Sequence, residues 1–236
     1  SVLFLGALLS RFRHAVVSYP GGCKIGNRPI DLHLKGLKAL GVAITERHGY
    51  LYCDGKSMHS GTIVFEKQSV GATQNLMLAS VFLSGKTVLK NCAKEPEVAD
   101  LAKFLNSMGA KVFGAGTNTI TIFGVDKLHS TTYKAIGDRI VAGTYLVATA
   151  MTGGNVEICN ILPQHLNAVL KKLCFCGCNV STKNDKISIS ANGRCNALKS
   201  ITTGVYPKFP TDMQSAFLSL MAISKGSCKI CETLFD

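Results

Sequence analysis

Between Tyr19 and His33 the chain reads Tyr-Pro-Gly-Gly-Cys-Lys-Ile-Gly-Asn-Arg-Pro-Ile-Asp-Leu-His. Three glycines, two prolines and an asparagine exclude a helix interior or a central strand, so most of this run is predicted to be a loop. It carries Cys23 beside two fixed positive charges, Lys24 and Arg28. Neighbouring cations favour the thiolate, so this thiol should release its proton more readily than a free cysteine. Gly21 and Gly22 let the backbone approach a ligand closely and leave N–H groups free to face an anion. These residue types suit chemistry on a phosphate-bearing substrate. The alternative is a small buried hydrophobe, the usual state of a free cysteine, and the chain has ten cysteines.

Two other cysteine groups invite chemistry. Cys174-Phe-Cys-Gly-Cys178, with Cys195 as a fourth thiolate, would be an unusual zinc site, because zinc ligands normally come in Cys-x₂₋₄-Cys pairs. Buried core cysteines are the favoured reading. Cys228-Lys-Ile-Cys231 falls on a predicted strand, whose alternation would point the two thiols to opposite sides, which is poor for a redox pair.

Asp31 opens an amphipathic helix with Leu32, Leu34, Leu37 and Leu40 as its apolar positions and Gly41 as its stop. The phrase that ends this helix recurs. Leu37-Lys-Ala-Leu-Gly-Val, Leu105-Asn-Ser-Met-Gly-Ala and Leu173-Cys-Phe-Cys-Gly-Cys place Gly41, Gly109 and Gly177 at a spacing of 68 residues both times. Each reads as a helix end, a C-terminal glycine and a strand, followed by short strands at 50–53, 119–123 and 186–190. A second phrase, helix then glycine then strand, recurs at Gly85, Gly154 and Gly226, after helices predicted at 71–84, 138–152 and 211–225. The predicted architecture is therefore α/β, built of pseudo-symmetric βαβαββ repeats in inside-out α/β domains, sheets outward and helices buried between them. The helix at 211–225 is apolar nearly all round, as burial would require.

The chain has 236 residues, 47% apolar and 17% charged, which supports a sizeable core. Its net charge of +12 favours anionic partners, but the basic residues are scattered rather than gathered in runs, which weakens a nucleic-acid reading. Ten cysteines fall short of a disulfide scaffold, so a reduced cytoplasmic setting is expected. The apolar run 2–9 is too short to span a bilayer and is closed by Arg11 and Arg13. We expect an internal piece of a longer protein.

Pro20 to His33 resembles the catalytic loop of the UDP-N-acetylglucosamine 1-carboxyvinyltransferases, within the enolpyruvyl transferase family. Ser69-Val-Gly-Ala-Thr73, Lys94-Glu-Pro-Glu97, Asp138-Arg-Ile140 with Ala142-Gly-Thr-Tyr-Leu146, and Phe209-Pro-Thr-Asp-Met-Gln214 resemble it in the same order. The resemblance implies a bacterial cytoplasmic enzyme of the first committed step of peptidoglycan synthesis. That enzyme transfers enolpyruvyl from phosphoenolpyruvate to the 3′-hydroxyl of UDP-N-acetylglucosamine. It implies a monomer with no cofactor, no metal, no nucleic acid and no membrane. Residues 1–137 would be the C-terminal part of the first domain and residues 138–236 the first part of the second, neither complete, so the isolated piece is expected to be inactive.

Carried over by motif, Cys23 would be the general acid that protonates the phosphoenolpyruvate methylene, Arg28 would bind phosphate and Asp212 would take the proton of the sugar hydroxyl. Arg28, Pro29, Ile30, Asp31, Leu32, His33, Lys67, Gln68, Ser69, Val70, Asp212 and Leu234 would contact substrate. Gln68 and Val141 depart from the family's usual residues. Each has a plainer reading. Asp212 suits a helix start electrostatically, Lys67 a solvated surface, His33 a local hydrogen bond on a helix face, Ser69 an ordinary N-cap, and Asp138-Arg139 a linker ion pair. Three rivals are a sister transferase acting on shikimate 3-phosphate, an RNA 3′-terminal phosphate cyclase and a non-catalytic sugar-nucleotide-binding relative. The first lacks the Gly-Gly-Cys loop, and the second needs a histidine near its C-terminus, whereas none of the six here lies beyond His165.

Overall fold

A computed structural model describes residues 2–19 and 30–235, and the chain divides into two compact units, 1–135 and 136–236. Cys23, Arg28 and Pro29 lie outside the described residues.

The first unit runs α1 (Phe4–Phe12), β1 (His14–Ser18), α2 (Asp31–Ala39), β2 (Ala43–Arg47), β3 (Tyr50–Asp54), β4 (Thr62–Val64), α3 (Val70–Ser80), β5 (Lys86–Lys90), α4 (Pro96–Ser107), β6 (Lys111–Phe113) and β7 (Thr119–Phe123). The strands form a three-stranded sheet ordered β1-β3-β2 and a four-stranded one ordered β4-β5-β7-β6. All pairs are antiparallel except β4 with β5, which the intervening α3 joins as a parallel crossover. Helix α3 is small and apolar on nearly every side, and Ala72, Thr73, Asn75, Leu76, Met77, Ala79 and Ser80 are all buried. It packs against α1, α2 and α4.

Close approach is what selects glycine here. A Cβ on Gly6 of α1 would collide with the backbone carbonyl of Asn75, and one on Gly36 of α2 with the Leu76 side chain. Alanine at either position would push a helix away from α3.

The second unit runs α5 (Arg139–Thr152), β8 (Gly154–Cys159), α6 (Asn167–Phe175), β9 (Asn179–Lys183), β10 (Lys186–Ala191), β11 (Ser200–Thr202), α7 (Gln214–Ile223) and β12 (Lys229–Cys231). Its sheets are β8-β10-β9, antiparallel, and the parallel pair β11-β12. The core gathers Leu146, Leu173, Ile187, Ile201, Met213, Phe217 and Leu220, with Phe209 and Phe217 meeting edge to face at 5.0 Å.

The repeat read from sequence is present in space. Gly41, Gly109 and Gly177 have φ of +86°, +97° and +97°, the left-handed geometry that ends a helix and turns it into a strand. Two expectations need correction. The predicted helix at 211–225 is a 3-10 turn, Thr211–Met213, followed by α7. Within its unit α7 buries the stripe Phe217, Leu220 and Met221, while Leu218 is 53% and Ile223 44% exposed, because a helix lying on one layer buries only the i, i+3, i+4 positions. Asp138 caps α5 by accepting hydrogen bonds from the N–H of Ile140 (2.8 Å) and Val141 (3.1 Å). Among the described residues no helix is long and apolar enough to cross a membrane.

Candidate active site

In the first unit two helix starts come together. Ile30 is the N-cap residue of α2, so Asp31, Leu32 and His33 form its first turn. Ser69 caps α3, its hydroxyl accepting from the N–H of Ala72 at 3.3 Å, with Val70 as the first helical residue. An ion pair between Lys35 of α2 and Glu66, 2.8 Å, ties the first helix to the segment leading into the second. The free N–H groups and dipoles of two converging helix starts favour an anion.

His33 is the joint between them. It is 8% exposed, and its Nδ1 lies 3.0 Å from Nδ2 of Asn75 on α3, so the local hydrogen bond expected from sequence is replaced by one spanning 42 residues. The Asn75 amide has its orientation imposed: Oδ1 accepts from the N–H of Gly6 at 2.6 Å, so Nδ2 faces two acceptors, the Val2 carbonyl at 3.1 Å and His33 Nδ1. The His33 proton therefore sits on Nε2, which borders Gly71 in the first turn of α3, 3.2 Å from where a Cβ would stand. Burial pushes the imidazole below its ordinary 6.5, and the nearby Asp31 carboxylate opposes this only in part. His33 is thus a neutral Nε2–H donor beside Gly71 in the first turn of α3.

The other residues expected in this half are more peripheral. Lys67 is exposed, as a surface lysine would be, and Gln68 donates to Asn118 Oδ1 at 3.1 Å. Ile30 and Leu32 are buried and pack into the core. Asp31 is half-exposed and lies 3.8 Å from Lys35.

The second unit holds Asp212 and Leu234. Asp212 is exposed in the 3-10 turn ahead of α7, and neither that turn nor α7 has a side-chain cap. Its carboxylate makes no capping hydrogen bond, and what remains of the plainer reading is the electrostatic preference for an acid in a first turn. Leu234 lines an open groove of about 900 Å³ with Thr203, Gly204, Lys199 and Lys208.

Sequence reasoning missed Asn75 and Glu232. Neither stands in a recognisable motif: Asn75 is a polar residue inside a helix, and Glu232 follows a short strand. A buried asparagine in an apolar, small-residue helix was the one available hint for the first. The Cys174–Cys178 run holds no thiolate cage. Cys174 is exposed, Cys178 and Cys195 are buried with sulfurs 3.7 Å apart, and among the described residues no cluster of His, Cys, Asp and Glu is placed to hold a metal. Burial pushes the Cys178 thiol up to about 12 and the Cys176 thiol to about 11.

The sequence pattern of the EPSP synthase (3-phosphoshikimate 1-carboxyvinyltransferase) family matches residues 1–236. UDP-N-acetylglucosamine 1-carboxyvinyltransferase 2 of Caldanaerobacter subterraneus subsp. tengcongensis is 52% identical over all 236 residues, which cover 57% of that relative. UDP-N-acetylglucosamine 1-carboxyvinyltransferase of Myxococcus xanthus is 48% identical over the same 236 residues, 56% of its length. The chain thus spans a little over half the length of these relatives. Among solved structures, the enolpyruvyl transferase NikO from Streptomyces tendae matches 98% of this chain and 56% of its own with a TM-score of 0.80 at 20% identity. EPSP synthase from Acinetobacter baumannii matches 97% of this chain and 54% of its own with a TM-score of 0.65 at 20% identity. These two likenesses show the α/β fold.

Proposed function

The chain belongs to the EPSP synthase family, and on that premise we propose that it is part of a bacterial cytoplasmic transferase that moves enolpyruvyl from phosphoenolpyruvate to the 3′-hydroxyl of UDP-N-acetylglucosamine, releasing phosphate in the first committed step of peptidoglycan synthesis. One observation carries the choice of substrate: identity of 47–52% over all 236 residues to proteins named for that transfer, against 20% to the EPSP synthases. In this reading residues 1–137 are the C-terminal part of the domain bearing the Cys23 loop and residues 138–236 the beginning of the second.

The chemistry is an addition followed by an elimination. Protonation of the phosphoenolpyruvate methylene makes C2 electrophilic, the sugar oxygen attacks it as its proton leaves, and phosphate departs from the tetrahedral intermediate as a proton is lost from the methyl group. One acid and one base are needed at the addition step. Cys23 is the acid, and Asp212, whose carboxylate has no capping duty, is the base. Arg28 binds phosphate with its planar fork. Ile30 to His33 and Lys67 to Val70, with Pro29 and Leu234, bind the sugar nucleotide, and the neutral His33 donates to it from Nε2.

The test is brief exposure of the full-length protein to fosfomycin, which alkylates the family's catalytic thiol, followed by cysteine-resolved mass spectrometry. An adduct on Cys23 alone, formed faster with UDP-N-acetylglucosamine present, is the expected result. Labelling spread over many cysteines, or none with active protein, would overturn the reading.

A further inference from the structure

Resting on the assignment of Asp212 as the base, we propose that Glu232 is the positioning residue of the Asp212 turn, acting through Thr211.

Three separate segments of the second unit end beside the strand pair β11-β12, and each donates to the Glu232 carboxylate. The Thr211 hydroxyl, one residue from Asp212, donates to Oε2 at 2.6 Å. The Thr203 hydroxyl, just beyond β11, donates to Oε1 at 2.7 Å. The N–H groups of Thr233 and Leu234, just beyond β12, donate to Oε1 at 3.0 and 2.8 Å. Thr203 closes the ring by accepting from the Thr233 N–H at 2.9 Å and, through its carbonyl, from the Thr233 hydroxyl at 2.8 Å. Both carboxylate oxygens are thus engaged, and only an ionised carboxylate offers acceptors alone on both sides.

The arrangement exceeds what the fold needs. The strand pair is already registered by its own backbone ladder from Ser200↔Lys229 to Thr202↔Cys231, and α7 is anchored by Phe217, Leu220 and Met221. Met213 anchors one end of the Thr211–Met213 turn in the core, but the Thr211-Asp212 end is held by neither device and has no side-chain cap of its own. Glu232 supplies that hold, and the same carboxylate orients the backbone of Leu234, assigned above to the sugar nucleotide. Desolvation works against the ionised form, yet the hydrogen bonds from Thr211, Leu234, Thr203 and Thr233 outweigh it and keep the carboxyl below 4.5.

The experiment uses the full-length protein with Glu232→Ala, Glu232→Gln and Asp212→Asn, singly and with Glu232→Ala combined with Asp212→Asn. A misplaced base should lower kcat by about 10- to 100-fold in Glu232→Ala, with KM for phosphoenolpyruvate unchanged. Glu232→Gln keeps one oxygen for Oε1's three donors and should recover part of that loss. In the Asp212→Asn background the Glu232→Ala change should cost little more, because a positioning residue has nothing left to position. Additive losses would overturn the proposal and leave Glu232 a structural residue. Amide exchange over 210–214 reads the turn without chemistry: no acceleration in either Glu232 variant would also overturn it. If Asp212→Asn keeps full kcat while exchange over 210–214 accelerates, the hold on the turn stands and the assignment of Asp212 as base fails.

Discussion

Replacing Asn75 with alanine should loosen the first unit more than any other single polar change there. The side chain is fully buried and serves three groups: the Gly6 N–H at 2.6 Å, the Val2 carbonyl at 3.1 Å and His33 Nδ1 at 3.0 Å. Gly6 lies in the first turn of α1, where an N–H has no partner within the helix, and Leu3 at the N-cap offers no side-chain acceptor. Asn75 is thus a cap supplied from another helix. Alanine strands the Gly6 N–H and His33 Nδ1, both buried, whereas Val2 is half-exposed and its carbonyl can turn to water. At about 1–3 kcal/mol for each stranded group the loss is about 2–6 kcal/mol. That is a large part of a domain's typical stability of about 5–15 kcal/mol. Native-state hydrogen exchange of peptides from α1, α2 and α3 should therefore accelerate by about 30-fold to about 25,000-fold. A control separates the partners: Asn75→Asp still accepts from Gly6 but presents an oxygen to His33 Nδ1, so its deficit should shrink as the pH falls to 5.5 and the imidazole protonates. An Asn75→Ala protein exchanging within about fivefold of the original would refute the reasoning, because the three hydrogen bonds would then carry almost none of the assigned energy.

Other consequences follow from the same geometry. Gly71→Ala puts a methyl 3.2 Å from His33 Cε1 and Nε2, so on the proposed function UDP-N-acetylglucosamine affinity of the full-length protein, read by calorimetry, should fall about tenfold while circular dichroism stays unchanged. Because His33 has a folded pKa below 6.5, the unfolded chain binds the extra proton first, so stability should decline as pH falls from 6.5 towards the lowered folded value and level off beneath it. Denaturation midpoints between pH 5 and 8 should flatten in His33→Gln. Phe217→Ala removes a fully buried ring packed on Phe209 and should cost about 3–5 kcal/mol, seen as a lowered Tm. Cys92, Cys176 and Cys178, with thiols pushed up to about 11, 11 and 12, should react with iodoacetamide at pH 8 far more slowly than the exposed Cys174.

Much of the fold was legible in the chain because its signals are local. The 68-residue recurrence of Gly41, Gly109 and Gly177 marks helix ends that only a residue tolerant of positive φ can make, and neighbouring side chains need not be known to read it. Asp31 and Ser69 announced helix starts for the same reason, since capping and dipole preferences act within a few residues. The extent of α7 and its burial were not legible. An apolar composition says that a helix can be covered, whereas its neighbours in the unit decide which stripe is covered, and here Leu218 and Ile223 are left out.

Site chemistry divides along the same line. Cys23 beside Lys24 and Arg28 stands out in the chain because the three fall within six residues and their types suit an anion, whereas the roles proposed for Cys23 as acid and Asp212 as base come from the resemblance of the ordered motifs. The state of His33 could not be read from the chain. Its tautomer follows from Asn75, 42 residues away, and its lowered pKa from burial between two helices. Glu232 is the plainer case, an acid after a strand with nothing in its neighbours to distinguish it. It becomes a hub only because Thr203, Thr211 and Leu234 converge on it in space. The sequence by itself determined which groups are available and where the helices closed by Gly41, Gly109 and Gly177 end, since those depend on short-range sterics and hydrogen bonding. Only the tertiary structure decided which groups are desolvated, which are partnered and which are held still, because those properties belong to residues that the chain brings together from far apart.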